Sequence, residues 1–142
     1  MKCKYWLALP ALLAATHLYA DVRVDDAWIR GLPPGVANAS AYMTLTNTGS
    51  EEVVLTGATS PIAGSVLLHG TMNHEGMLHM MHLESVAIPA GAELKLESGG
   101  THLMLMELKE TPVPGTEVEL TLQFADGTSH ALRLPVRSVL DE

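Results

Sequence analysis

The stretch TEVELTLQFADGTSHALRLPV at residues 116–136 decides the fold class, because apolar and polar residues alternate on both sides of a short turn. Alternation with a period of two is the pattern of a β-strand that buries one face. Asp126 and Gly127 supply the tight reversal of a β-hairpin. The stretch therefore predicts two antiparallel strands, at residues 116–124 and 129–136.

Similar segments recur along the chain, and no stretch from residue 21 onward has the periodicity of a long amphipathic helix. Gly, Pro, Asn and Asp, which favour chain reversals, separate these segments. The other predicted strands are residues 22–30, 40–47, 52–59, 64–72, 77–86, 93–96 and 102–108. Nine short strands in one unit indicate an all-β sandwich or barrel.

The chain of 142 residues has room for one domain with one hydrophobic core. Its beginning differs from the rest, because Lys2 and Lys4 precede a mostly apolar run that ends before an acidic segment. This is the pattern of a secretory signal peptide, and the run is too short to span a membrane. We expect cleavage after Ala20 or a few residues before it. The predicted division is a signal peptide at residues 1–20 and an exported domain at residues 21–142.

Cysteine content and charge exclude several functions for the exported domain. The only cysteine, Cys3, lies in the predicted signal peptide, so neither a disulfide nor a thiolate metal ligand is available. Six basic residues oppose sixteen acidic ones from residue 21 onward, a formal charge of −10 with His neutral. Such a surface repels nucleic acid and anionic lipid, and no Gly-rich phosphate loop occurs. We expect no nucleic-acid partner, and any soft metal site must use methionine.

Histidine and methionine concentrate between residues 69 and 106. Five of the six histidines and six of the seven methionines of the exported domain lie there. Strand interiors are normally filled by Leu, Ile and Val, whereas Met is used sparingly. Thioethers are soft, neutral donors that bind Zn²⁺, Mg²⁺ and Ca²⁺ poorly, so a site of Met and His selects Cu(I). The composition therefore predicts a copper site.

Four members of this cluster are the candidate metal ligands. His69, Met80, His102 and Met104 are separated by ten residues, twenty-one residues and one residue. In the predicted strand 102–108, the period of two places His102 and Met104 on one face, so both can reach one ion.

The segment around Met80 is ambiguous in the sequence. Alternation puts Leu78, Met80 and His82 on one face, and Met77, His79 and Met81 on the other. The sequence does not decide which of these two faces meets His69.

Five further residues allow three interpretations. They could form a second, looser metal site, act as alternate ligands that hand the ion on, or be incidental residues of a loop at 71–76. The residues concerned are Met72, His74, Met77, His79 and Met81.

The spacing of the four candidates resembles the motif of the periplasmic Cu(I) chaperones called PCuAC. That motif is His, an optional Met, ten residues, Met, twenty-one residues, His, any residue, Met. Similarity extends over about residues 21–136, and the segments that carry it are 26–30, 39–43, 88–91 and 99–106. The chain departs from the family at Asn73, where relatives typically have a methionine and this chain instead has Met72.

The resemblance implies a cupredoxin-like Greek-key β-sandwich or barrel that binds one Cu(I). It implies that His69, Met80, His102 and Met104 are the ligands. It also implies copper delivery in the periplasm to the binuclear centre of cytochrome c oxidase subunit II or another copper acceptor. We expect a monomer with no membrane span in the exported domain.

Three other classes of function remain open. A copper-buffering or resistance protein would use the additional Met and His residues as further sites and have no dedicated receiver. A zinc hydrolase would need an open coordination position for water, but neither a His-Glu-x-x-His nor a Gly-x-Ser-x-Gly motif occurs. We therefore do not expect an enzyme. A purely structural β-sandwich would leave the concentration of Met and His unexplained.

Overall fold

The computed structural model describes residues 21–138, except for the side chains of residues 72–74 and 78. The predicted signal peptide with Cys3, and the chain after residue 138, lie outside the described residues. The described part consists of strands and turns, and it holds no helix long and apolar enough to cross a membrane. The strands are β1 (Val22–Arg30), β2 (Ala39–Asn47), β3 (Val53–Thr59), β4 (Ala63–His74), β5 (Met77–Leu83), β6 (Val86–Ile88), β7 (Glu93–Leu96), β8 (His102–Leu108), β9 (Glu117–Phe124) and β10 (Ser129–Arg137).

Seven of these strands close into a barrel. Their order is β4-β8-β2-β1-β10-β9-β3, and pairing of β3 with β4 joins the two ends. The β1–β10 pair is parallel, whereas the other pairs are antiparallel. Three strands are added to this barrel: β5 beside β4, β6 beside β3, and β7 beside β2. The prediction of a single all-β domain with a cupredoxin-like fold is confirmed.

The core follows from the alternation in the sequence. Leu120 and Leu122 of β9, Leu103 and Leu105 of β8, and Leu134 of β10 are all fully buried. Burying one such side chain stabilises the fold by about 1.5–3 kcal/mol relative to exposure. The residues between them on each strand face outward, so the barrel presents an outer surface whose side chains can serve function.

The predicted final hairpin is present and joins β9 to β10, with Ser129 opposite Gln123. Gly127 has φ of +86°, a conformation that only glycine adopts without strain. Asp126 Oδ1 accepts hydrogen bonds from the Thr128 hydroxyl at 2.6 Å and the Thr128 amide at 3.0 Å. These two bonds, the hydroxyl first, lower the pKa of the Asp126 carboxyl. The turn is thus held by both backbone conformation and side-chain hydrogen bonds.

Two predicted boundaries are wrong. The strand predicted at residues 77–86 is two strands, β5 and β6. They pair with different neighbours: β5 with β4, and β6 with β3. The loop predicted at residues 71–76 is mostly strand, since β4 continues to His74. The reversal is confined to Glu75 and Gly76, with φ of +53° and +80°. Positive φ at both positions is the geometry of a tight two-residue hairpin turn.

Asn47, at the end of β2, is a fully buried polar residue that connects three segments. Its Nδ2 donates to the Glu51 carbonyl at 2.7 Å and to the Ile88 carbonyl at 2.9 Å. Its Oδ1 accepts from the Gly49 amide at 3.0 Å. The side chain thereby joins β2, the turn that follows it, and β6.

We expect Asn47→Ala to lower the free energy of unfolding by about 2 kcal/mol, because backbone groups that lose a buried partner stay unsatisfied. Chemical denaturation of the variant measures this effect. Asn38→Ala is the matched control, since Asn38 is exposed and should change stability by less than about 0.5 kcal/mol. Equal stability of the two variants would contradict this role of Asn47.

Candidate metal centre

Strand register brings three histidines into one row across β5, β4 and β8. His69 on β4 lies directly opposite His82 on β5 and directly opposite His102 on β8. Directly opposite residues on neighbouring strands point to the same face of a sheet. The ring centroids of His69 and His82 are 6.3 Å apart, and those of His69 and His102 are 6.0 Å apart.

Two methionines flank this row on the same outer face. Met104 of β8 is opposite Leu67, and Met80 of β5 is opposite Thr71. Leu67 and Thr71 are two residues before and after His69, so they share its face. The register therefore places His69, Met80, His102 and Met104 on one outer face of three adjacent strands, with the two methionines on opposite sides of the histidine row. The face of β5 that meets His69 is the one with Met80 and His82.

Exposure changes steadily across this face. His102 is only 6% exposed, His69 and Met104 are half-buried, and Met80 is 56% exposed. A ligand arriving from solvent therefore meets the β5 side first. Burial lowers the pKa of His69, and Coulombic repulsion from the neighbouring His102 and His82 lowers it further. The neutral form of His69, which has a lone pair for a metal, is thus favoured at neutral pH.

The ring of His102 is oriented by the turn that precedes β8. His102 Nδ1 lies 2.9 Å from the Gly100 carbonyl oxygen. A carbonyl oxygen only accepts hydrogen bonds, so Nδ1 is the donor and Nε2 is the nitrogen that the ring can offer to a metal ion. Thr71 Oγ1 of β4 donates to the neighbouring Gly99 carbonyl at 3.0 Å, which ties this turn to the strand of His69. Such outer partners fix the tautomer and direction of a metal-ligating histidine.

Two further atoms of the site, on His69 and Met104, bear on metal binding. His69 Nδ1 is buried and has no hydrogen-bond partner among the described residues. A buried nitrogen in that state costs about 1–3 kcal/mol, and a bound metal ion would remove the cost. Ser40 Oγ of β2 donates to Met104 Sδ at 3.9 Å and so orients the thioether. The second lone pair of that sulfur remains available.

Comparison with known proteins gives the family. Residues 22–136 match the family model described as "Putative lipoprotein LpqE-like", which covers most of the chain. The chain belongs to the LpqE-like family. A putative lipoprotein of Leifsonia xyli subsp. xyli is 37% identical to this LpqE-like protein over 131 residues, an alignment that covers 91% of the chain and 78% of that relative.

Solved structures similar to this LpqE-like protein include PCuAC domains. The solution structure of Cu(I)-DR1885 from Deinococcus radiodurans is 34% identical, with a TM-score of 0.67 over 88% of this chain and 83% of that one. The copper-bound PCuAC domain from PmoF2 has a TM-score of 0.71 at 20% identity, over 84% of this chain and 95% of that domain. The latter shows the shared fold. The predicted resemblance to the PCuAC family is confirmed.

Aromatic rings of the LpqE-like barrel continue the row of histidines. Tyr42 of β2 is buried next to His102, with ring centroids 6.3 Å apart, and Trp28 of β1 lies 4.9 Å from Tyr42. The Arg137 guanidinium lies 5.6 Å from the centroid of the Trp28 ring. These rings shield His102 from water on the β2 side. Sequence reasoning missed Tyr42 and Ser40, although alternation within residues 39–43 puts both on one face.

The second site considered for this LpqE-like protein has little geometric support. Met77 and Met81 are 64% and 40% exposed, and with His79 they occupy the face of β5 opposite to Met80. The side chains of Met72 and His74 lie outside the described residues. Among the described side chains, no three of His, Asp or Glu converge on a point where they could hold a metal. A site on this surface therefore depends on methionine sulfur or on side-chain rotation.

Proposed function

We propose that this LpqE-like protein is a copper chaperone that binds one Cu(I) with His69, Met80, His102 and Met104. The observation that carries the proposal is the placement of two imidazoles and two thioethers on one outer face of β5, β4 and β8. Soft, neutral donors of this kind favour Cu(I) over Zn²⁺. The similarity to Cu(I)-DR1885 and to a copper-bound PCuAC domain supports copper as the cargo.

Delivery fits this ligand set better than electron transfer. Blue-copper sites use a Cys thiolate, and the sequence has no cysteine after Cys3. Neutral ligands leave the charge of Cu(I) uncompensated, so transfer to a thiolate acceptor is favourable. The exposed Met80 is the ligand that an incoming thiolate displaces first: a copper–thiolate bond forms as the bond to the Met80 sulfur breaks, and no electron moves. The buried His102 leaves last.

We propose the periplasm as the location and the binuclear copper centre of cytochrome c oxidase subunit II as the receiver. The predicted signal peptide supports export, and so does the description of the family and of the Leifsonia relative as putative lipoproteins. The resemblance to periplasmic PCuAC chaperones supports this receiver. Acidic residues on the surface suit an encounter with a cation or a basic partner.

Copper buffering is the second candidate. The exposed methionines on the other face of β5, Met77 and Met81, favour it because they offer further thioethers for weakly held ions. Stoichiometry distinguishes the two candidates. A chaperone holds one ion tightly, whereas a buffer holds several.

Copper transfer tests the proposed function directly. The Cu(I)-loaded protein is mixed without oxygen with the metal-free soluble domain of oxidase subunit II, in the presence of excess Cu(I) chelator. We expect copper on the acceptor after the two proteins are separated, and none on an acceptor whose copper-binding cysteines are replaced by serine. Complete capture of the copper by the chelator would contradict delivery by direct ligand exchange.

A further inference from the structure

His82 is a fifth residue of the site, and neither the four-residue motif nor the proposed Cu(I) set uses it. It lies directly opposite His69 on β5 and points to the same face. Its ring centroid is 6.3 Å from that of His69, close to the 6.0 Å between His69 and His102. His69 is therefore flanked on both sides by a histidine at almost the same distance.

The side chains of β5 offer the ion two different donors. Met80 and His82 are two residues apart on the same face, so one strand presents a thioether and an imidazole to the same neighbourhood. His69 and His102 can complete either set. With Met80 and Met104 the set is two nitrogens and two sulfurs, whereas with His82 it is three nitrogens.

These two sets suit different oxidation states of copper. Thioether sulfur selects Cu(I), whereas imidazole nitrogen with water or other oxygen ligands suits Cu(II). Among the divalent first-row metal ions, the affinity of a given nitrogen site is also highest for Cu(II) and lower for Zn²⁺. A chain that could use only the sulfur-containing set would hold Cu(II) poorly.

The geometry allows the third imidazole to join. The outer strands β5 and β8 are separated by two strand spacings, about 10 Å in all, and His69 lies between them. No three of the described His, Asp and Glu side chains converge on one point. His82 therefore has to turn toward His69 to complete the site. His82 is exposed on the edge strand, and its ring can rotate without displacing a packed neighbour.

We infer that His69, His82 and His102 form a Cu(II) site that overlaps the Cu(I) site, so that the protein takes either ion but not both at once. This inference rests on the copper site proposed above and adds His82 as a ligand for the oxidised ion only. The two bound forms differ in that Met80 and Met104 bind Cu(I), whereas His82 binds Cu(II).

The test compares His82→Gln with His79→Gln in the metal-free exported domain, residues 21–142. Both histidines are exposed on β5, but His79 belongs to the opposite face. Cu(II) affinity is measured by competition with a Cu(II) chelator, and the bound nitrogens are counted by electron paramagnetic resonance. Cu(I) affinity is measured without oxygen on the same samples, and Zn²⁺ is titrated in parallel.

We expect His82→Gln to weaken Cu(II) binding at least about tenfold, the lower bound seen for losses around metal-ligating histidines, and to reduce the nitrogen count by one. Its Cu(I) affinity should stay within about twofold of the unmodified protein, and His79→Gln should change neither ion. Unchanged Cu(II) affinity in His82→Gln, equal losses for both ions, or Zn²⁺ bound as tightly as Cu(II) would each overturn the inference. Failure of the unmodified protein to bind Cu(I) tightly would instead overturn the proposed function.

Discussion

The His102→Ala variant is expected to lose Cu(I) affinity by about 100-fold or more. Even an outer hydrogen-bond partner of a metal-ligating histidine is worth about 10–100-fold in affinity, and this variant removes the imidazole itself. His102 is the most buried of the four candidates and is held by the Gly100 carbonyl, so a neighbouring side chain cannot easily replace it. Titration without oxygen against a chromophoric Cu(I) chelator measures the loss.

Two control variants distinguish the loss of a ligand from a loss of folding. His102→Gln keeps a similar volume and can still donate to the Gly100 carbonyl, but it lacks the second ring nitrogen. It should lose Cu(I) as His102→Ala does while melting close to the unmodified protein. His79→Ala, on the opposite face of β5, should bind normally. Tight binding by folded His102→Gln would rule out His102 as a ligand.

The paired substitution Met80→Leu and Met104→Leu is expected to change the metal preference of the site. Leucine nearly conserves the volume of methionine, so the fold should lose less than about 1.5 kcal/mol for each substitution. Without thioethers the remaining donors are imidazoles, which do not favour Cu(I) over Zn²⁺ and Cu(II). Cu(I) affinity should fall about 100-fold or more, with Zn²⁺ affinity unchanged.

The matched control for this pair is Met77→Leu with Met81→Leu. Met77 and Met81 are exposed on β5, as Met80 is, but belong to the other face. The chaperone model predicts normal binding of one Cu(I) by the control variant. If the control lost as much copper as the Met80 and Met104 pair, the methionines would act together as a buffer and the four-ligand site would be wrong.

Local sequence patterns were sufficient to predict much of the fold. The alternation in residues 116–136 determines which side chains of β9 and β10 are buried, and Asp126-Gly127 marks their turn. The same argument places His102 and Met104 on one face of β8, because faces within a strand depend only on the period of two. The break between β5 and β6 had no comparable signal, since no Gly or Pro interrupts residues 77–86.

Contacts between strands were less accessible from the sequence. Which face of β5 meets His69 depends on the register of the β4–β5 hairpin, and the turn at Glu75 and Gly76 sets that register. Recognising this two-residue turn would have predicted His82 opposite His69. The contacts of Ser40 with Met104 and of Tyr42 with His102 join β2 to β8. Strands far apart in sequence meet there only because the barrel closes.

X-ray absorption at the copper K edge, on the Cu(I)-loaded protein without oxygen, tests the four-ligand site most directly. Since the sequence has no cysteine after Cys3, any sulfur bound to copper in the exported domain must come from methionine. We expect a first shell of two nitrogen and two sulfur scatterers, with the sulfurs absent from the Met80→Leu and Met104→Leu double variant. A shell of nitrogen or oxygen alone in the unmodified protein would contradict the site and, with it, the assignment of Cu(I) as the cargo.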